Sequence, residues 1–341
     1  MRILSFGEIL LRLASPGYTK LFQKDSLEAT FCGGEANVAV SLAILGQESG
    51  FITKVPNNDV GRAAINSMRY FGVDTSKVIY GGGRLGTYYL EKGASQRPSK
   101  VIYDRAYSSI AMADPADFDW DTILEGVEWF HWTGIDPALS ENVAEICRQA
   151  SIVAKKKGIT VSCDLNYRGN LWSSADAQKT MIQLMPYVDV CVANEEDADK
   201  VLGIKAVGSD VESGKFNRDG YVDVARQICK QYGCKLVAVT LRESYSASRN
   251  GWSGMLYDAT KDSASFSKVY DIQIIDRVGG GDSFTAGLIY ALSNDRDNDY
   301  TINFAVAASC LKHTIEGDYN RSSVEDIIKL MDGSGNGRVQ R

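Results

Sequence analysis

Short apolar runs alternate along this chain with amphipathic stretches of helical length. Strands are predicted at 3–6, 50–55, 129–135, 160–165, 188–193 and 236–241. Between and after them the 3.6-residue periodicity predicts helices near 35–45, 60–71, 141–157, 174–185, 196–202, 221–232, 283–293 and 300–315. The runs beginning at Val188 and Leu236 are rich in β-branched residues and almost unbroken by polar ones, as in strands buried on both faces. Strand and helix in alternation imply right-handed βαβ units around a mostly parallel sheet, and so an α/β fold.

Two segments break the rhythm. Residues of about 11–32 and 83–111 carry turn residues and β-prone strips such as Thr87-Tyr88-Tyr89-Leu90 and Val101-Ile102-Tyr103. They read as strands inserted into the α/β body, a small β lid on one unit spanning 1–341. The glycine-rich tail at 333–341 is expected to fray.

Bulk properties narrow the field. The 341 residues are 44% hydrophobic and 23% charged, enough for a sizeable core. A net charge of −6 with dispersed basic residues argues against nucleic acid and against an anionic membrane surface. No apolar run reaches the length of a membrane span, and the first residues do not form a signal peptide. The seven cysteines are scattered, with no Cys-x-x-Cys pair, which fits free thiols in a cytoplasmic protein better than disulfides or zinc. With only His131 and His313 present, a triad or a histidine-rich metal site has almost nothing to be built from. His131 reads as a core histidine. Lys312 and His313 fall in a last helical turn, where cations suit the dipole. The five tryptophans read as packing.

The strongest chemical signal is Asp276-Arg277-Val278-Gly279-Gly280-Gly281-Asp282, followed at once by a helical pattern. Three glycines at a helix start let the backbone approach a ligand and turn its N–H groups outward. The helix N-terminus adds partial positive charge, so the turn suits a phosphoryl group. Asp282 then stands where it can take a proton from an attacking hydroxyl. A glycine turn capped by aspartate is the plain alternative. There is no Gly-x-x-x-x-Gly-Lys P-loop, and no Gly-x-Gly-x-x-Gly follows the first strand, which sets aside a Rossmann-type dehydrogenase.

With Gly33-Gly34-Glu35-Ala36-Asn37 near the N-terminus, Gly46 closing the following helix, and the second motif some 240 residues later, the chain resembles the ribokinase-like (phosphofructokinase B) carbohydrate kinases over nearly its whole length. Within them it looks most like the 2-keto-3-deoxygluconate kinases. The resemblance implies a three-layer α/β/α domain, with ATP and Mg2+ as cofactors. It leaves a monovalent cation open as a third. Asp282 would be the base and Gly279, Gly280 and Gly281 the anion hole. Gly34 and Asn37 would touch sugar hydroxyls. Asn194 with Glu196 and Asp197 would organise magnesium through water, although the family's glutamate is replaced here by Asp197. The stretch from Thr240 to Ser246 would be a nucleotide-binding loop, with Arg242 and Ser246 where glycines are usual.

A carboxylate on the substrate calls for guanidinium groups. Tyr103 and Arg105 share one face of an inserted strand, and Arg168 follows a buried strand at the sheet edge where open α/β sheets bind ligands. In the resemblance Tyr89, Tyr103, Arg105 and Arg168 line an acid pocket, Ile135 adds a backbone contact and Asp318 reaches the substrate. Surface ion pairs for the arginines, sheet packing for the tyrosines and a helix C-cap near Asp318 are the competing readings. The expected reaction is phosphorylation of the 6-hydroxyl of 2-keto-3-deoxygluconate. A neutral-sugar kinase and a catalytically silent sugar-binding relative are the alternatives. The inserted strands have edges that suit a homodimer through the lid.

Overall fold

The computed structural model describes residues 2–194, 196–205 and 218–333. The chain opens with β1 (Arg2–Phe6), β2 (Leu10–Ala14), β3 (Glu28–Cys32), α1 (Gly34–Ile44) and β4 (Glu48–Ile52). Two short strands, β5 (Lys54–Val55) and β6 (Ile79–Tyr80), flank α2 (Asp59–Arg69); β7 (Gly86–Glu91) and β8 (Lys100–Asp104) follow. The middle holds α3 (Trp120–Ile123), β9 (Trp129–Thr133), α4 (Ile135–Leu139), α5 (Glu141–Lys156), β10 (Thr160–Asp164), α6 (Ser174–Leu184), β11 (Val190–Ala193) and α7 (Asp197–Leu202). Then come α8 (Arg218–Tyr232), β12 (Leu236–Ser246), β13 (Arg249–Asp258), β14 (Ser263–Phe266), β15 (Tyr270–Gln273), α9 (Gly280–Ser293), α10 (Asn298–Lys312) and α11 (Val324–Met331).

The main sheet runs β14-β13-β12-β11-β10-β9-β1-β4, with β15 also on β13. Every pairing from β4 to β12 is parallel, and only the β13 side is antiparallel. All five residues of β9 are buried, as its unbroken apolar run requires, because helices cover both faces. Phe130 and Trp132 join the core beneath α5, α6 and α8, while Trp129 joins the opposite core with α9 and α10. The mostly parallel sheet is the one the alternation implied, and the three layers are those the family resemblance implied. Helix α1 is buried along most of its length, polar Glu35, Asn37 and Ser41 included. Its start points at a site rather than at solvent.

The inserted segments build a separate four-stranded sheet, β3-β2-β7-β8, with β2 and β7 parallel and the outer pairs antiparallel. Its edge strands β3 and β8 are largely exposed. All seven cysteines are buried and free, and His131 is a core residue with Ser162 Oγ 2.9 Å from its Nδ1.

Some boundaries differ from expectation. The strand expected to run to Ile135 stops at Thr133, because Thr133 Oγ1 accepts the Ile135 N–H at 3.1 Å and starts α4 instead. The expected loop from Thr240 to Ser246 is strand. With side chains where glycines were anticipated, β12 continues to Ser246 and pairs with β13, as Leu241 with Ser253 and Arg242 with Trp252. Strands β13 to β15 and helix α11 were not anticipated. Glu195 and residues 334–341, the bulk of the expected fraying tail, lie outside the described residues.

Candidate active site

The parallel strands all end on one edge of the sheet, and the residues just beyond them meet there. Glu8 after β1, Ile135 after β9, Asn166 and Arg168 after β10, Asn194 after β11 and Arg242 on β12 line one cleft of about 370 Å3. The lid contributes Tyr88, Tyr103 and Arg105, and the opposite wall is Gly279, Gly281, Asp282 and Asp318. A parallel sheet concentrates its loops at such an edge, which is why residues far apart in sequence share it.

The glycine turn is held from behind. Gly279 has φ 83° and caps α9. A Cβ there would fall 2.0 Å from the Asp318 carbonyl oxygen, and one on Gly280 would fall 2.5 Å from His313 Cε1. Gly281 is different, with nothing within 4 Å of that position. So Gly279 and Gly280 are glycines because backbone and an imidazole press on them, and Gly281 is the one that leaves open space for a ligand. Of the three glycines expected to form the anion hole, Gly279 and Gly281 line the cleft and Gly280 does not.

Asp282 follows directly. Asn37 Nδ2 donates to its Oδ2 at 2.6 Å, and a Cβ on Gly34 would lie 3.8 Å from its Oδ1. The two sequence motifs are therefore in contact through α1 and α9, whose N-termini converge. Burial pushes the Asp282 carboxyl up to about 6, with Asn37 opposing, nearby Asp318 adding and Arg168 opposing. At neutral pH it is ionised and able to accept a proton.

On the lid side, Arg105 is 7% exposed and its Nε donates to Glu8 at 2.7 Å; Ser108 Oγ donates to the other Glu8 oxygen at 2.5 Å. Arg105 also stacks over Tyr103, 5.3 Å from the ring centroid. Tyr103 and Arg105 do share the cleft-facing side, but the Arg105 charge is largely answered by Glu8, a residue the sequence reading passed over. Tyr89 is corrected to Tyr88. The period of two puts Tyr88 inward and Tyr89 on the outer face, beside Phe22 at 6.3 Å. Tyr88 donates to Asp318 Oδ2 at 2.8 Å, and Arg12 on β2 donates to the other Asp318 oxygen and to Asp276 Oδ2 at 2.6 Å. Asp318 thus lines the cleft with both oxygens already engaged. Arg12 was missed; its only sequence signal was an arginine at an inward position of an apolar strand.

Beyond β10, Asn166 adopts a positive φ of 40°, and its N–H donates to Asp164 Oδ1 at 3.1 Å. Burial, then the charges of Asp197 and Asp282, raise the Asp164 carboxyl well above the usual range. Arg168 donates to the Tyr167 carbonyl at 3.0 Å and forms no ion pair with a carboxylate among the described residues. Behind Gly34, Thr133 Oγ1 donates to Glu35 at 2.5 Å; burial raises both Glu35 and neighbouring Asp136.

At the far end, Asn194 and Asp197 close a reciprocal turn. Asn194 Oδ1 accepts the Asp197 N–H at 3.1 Å, and Asp197 Oδ2 accepts the Asn194 N–H at 3.1 Å. Asp197 Oδ1 accepts the Tyr167 N–H at 3.1 Å. Both residues line the cleft, while Glu196 is exposed and does not. No group of three or more His, Cys, Asp or Glu suited to holding a metal exists among the described residues. Thr240 and Arg242 line the cleft. Ser246 does not; it sits in the β12–β13 hairpin, its Oγ accepting the Ser248 N–H at 3.2 Å. Arg277, also missed, reaches the same end. Its Nη2 donates to the Ala247 carbonyl at 2.9 Å, but its buried Nε has no hydrogen-bond partner among the described residues. Burial, and then the nearby Arg242 charge, lower its pKa.

A glycine turn at a helix N-terminus, an aspartate beside it and a cleft under a β lid suit an enzyme that passes a phosphoryl group to a small hydroxyl compound. The chain belongs to the pfkB family of carbohydrate kinases, whose model matches residues 2–325, and it phosphorylates a sugar. It is 30% identical over 336 residues to a 2-dehydro-3-deoxygalactonokinase of Haloferax volcanii, covering 98% of each chain. The crystal structure of a 2-dehydro-3-deoxygluconokinase from Thermotoga maritima superposes with a TM-score of 0.93 at 50% identity, over 98% of this chain and 100% of that one. A fructokinase from Xylella fastidiosa with bound ATP shares the fold, at 19% identity and a TM-score of 0.78 over 98% of this chain and 99% of that one.

Proposed function

We propose that the enzyme transfers the γ-phosphoryl group of ATP to the terminal, 6-hydroxyl of a 2-keto-3-deoxy sugar acid, 2-keto-3-deoxygluconate or its C4 epimer. The observation that carries this reading is Arg168. A guanidinium with no carboxylate ion pair among the described residues, though within the field of Asp164 and Asp282, stands in the cleft, where a bound carboxylate would supply one. The relatives named for such acids support it.

In this reading the acid lies under the lid between Tyr88, Tyr103 and Arg168, with Gly34 and Asn37 at its hydroxyls. Arg105, neutralised by Glu8, orients more than it attracts. Asp282, fixed by Asn37, holds the attacking hydroxyl and takes its proton late, because a loose phosphoryl-transfer transition state needs little prior deprotonation. The open side of Gly281 and the α9 N-terminus receive the transferring group.

The nucleotide polyphosphate fits the end lined by Thr240, Arg242 and Arg277, where the unpartnered Arg277 Nε has use for an anion. Mg2+, carried with the nucleotide, would neutralise phosphate charge during transfer. Asn194 and Asp197 could hold it only through water, since both Asp197 oxygens already accept backbone N–H groups.

The deciding experiment is ADP release with ATP, Mg2+ and a panel of 2-keto-3-deoxygluconate, 2-keto-3-deoxygalactonate, gluconate, fructose and ribose. Preference for a keto acid supports the reading. Activity confined to neutral sugars would overturn the pocket assignment and leave Asp282 in place. Two variants refine it. Arg168→Ala should raise KM for the acid about 30-fold, the loss of a charge-assisted hydrogen-bond pair, with a much smaller effect on a neutral sugar. Arg277→Ala should raise KM for ATP roughly 10-fold and leave KM for the acid within twofold; the opposite split would remove Arg277 from the nucleotide end.

A further inference from the structure

The last turn of α10 pushes three residues against the back of the glycine turn. Ser309, Lys312 and His313 share a helix face at spacings of three and four. Ser309 Oγ donates to the Gly280 carbonyl at 2.7 Å, and the His313 ring packs on Gly280. Lys312 is 0% exposed, and its Nζ donates to the Asp276 and Ile315 carbonyls, each at 3.2 Å. Those carbonyls belong to the two segments that make the site: the one leading into Gly279, and the loop whose Asp318 carbonyl rests on Gly279.

Of the two titratable groups, His313 is neutral at physiological pH, since burial takes it down to about 4. Of these α10 groups, Lys312 is the one that can bring a positive charge to the back of the turn. Burying an ammonium costs several kcal/mol unless it is compensated. Burial lowers its pKa; Asp276, Asp318 and Asp282 favour the charged form, and the nearby Arg12 guanidinium opposes it. A methionine or leucine would fill the same space without that cost, so packing does not account for a lysine here.

Converging backbone carbonyls are also the donor set that alkali cations accept. We propose that Lys312 is a built-in cation: its ammonium occupies the carbonyl-lined place between the two loops, so the enzyme works without a monovalent metal ion. Lys312 is a positioning residue. It draws the Asp276 and Ile315 carbonyls together, sets the turn from Gly279 to Gly281, and adds a fixed positive field behind the transferring phosphoryl group.

The inference rests on the family's kinase chemistry and not on which sugar is accepted, so any substrate that turns over can report it. Rates are measured in KCl, NaCl and NH4Cl against tetramethylammonium chloride at constant ionic strength. The wild-type rate should stay flat to within about twofold. Lys312→Met, similar in length and uncharged, should lose roughly 100-fold in kcat with a small change in sugar KM, the scale of one electrostatic group removed from the transition state. Potassium or ammonium should restore a large part of that loss. Potassium should also raise the melting temperature of the variant, and not that of the wild type. A wild-type rate that climbs severalfold with potassium overturns the inference. So does a folded variant with wild-type turnover in tetramethylammonium alone, or one whose loss no cation restores. If Lys312→Met does not fold, the wild-type titration decides by itself.

Discussion

Asp282→Asn is expected to abolish measurable turnover, with kcat down by about 10^3 or more, while the sugar acid should bind within a few-fold of its wild-type affinity. The amide keeps the shape of the carboxylate and can still accept from Asn37 Nδ2, so the floor of the cleft survives. It cannot take the proton. A variant that retains most of its kcat would remove Asp282 from the role of base. The wild type supplies an independent check. With the carboxyl raised to about 6, kcat should fall on the acid side with a midpoint near that value and unit slope, because only the ionised form accepts a proton.

Stability moves the other way. The native carboxyl keeps its proton up to about pH 6, and the unfolded one loses it near the ordinary value of 3.8. Ionisation therefore opposes folding as pH rises through 6. Asn at this position should stabilise the protein at pH 8 by about 1–2 kcal/mol, allowing for the part of the group that water reaches, and by little at pH 4. Loss of activity with a gain in melting temperature at pH 8 separates a functional aspartate from a structural one.

The second large effect is expected at Arg12. Its side chain is 3% exposed and bridges Asp276 and Asp318, whose side chains are 1% and 3% exposed. Tyr88 completes the cluster at Asp318, and the Gly317 N–H donates to Asp276 at 3.1 Å. Arg12→Met removes the guanidinium that ion-pairs with both buried carboxylates. Breaking such a pair from one side typically costs about 3–5 kcal/mol, which for a chain this long lowers the melting temperature by roughly 5 °C. Because Arg12 ties lid strand β2 to both segments around the glycine turn, kcat should fall as well. Calorimetry and steady-state kinetics on one preparation would check both. A melting temperature within 1 °C of wild type would mean that the carboxylates rearrange or take up protons with ease. Asp276→Asn/Asp318→Asn added to Arg12→Met should recover part of the lost stability, since the repulsion is gone.

Much of the fold was legible because it follows from local rules. The doubly buried runs at Val188 and Leu236 could only be strands of a covered parallel sheet, and β10 and β11 lie where alternation placed them. The glycines before Asp282 and the Gly33-Gly34…Asn37 pair were legible as chemistry, and Asn37 and Asp282 do touch. Errors arose where one residue decides a face or where the partner is remote. Tyr88 and Tyr89 are equivalent as local sequence, and only the register of β7 on β2, which pairs Arg12 with Tyr88, turns the first inward. The stretch from Thr240 reads as a loop until β13 is there to pair with it.

What the sequence determined by itself, then, was the layered α/β plan, the glycine turn and the aspartate at the head of a helix, because periodicity and backbone freedom act within a few residues. The tertiary structure alone decided which charges remain available. Glu8 answers Arg105, Arg12 occupies Asp318, and Lys312 turns from a helix-end cation into a buried group behind the glycine turn. Electrostatic partners are chosen in space, among groups brought together by sheet order, and no spacing along the chain encodes that choice.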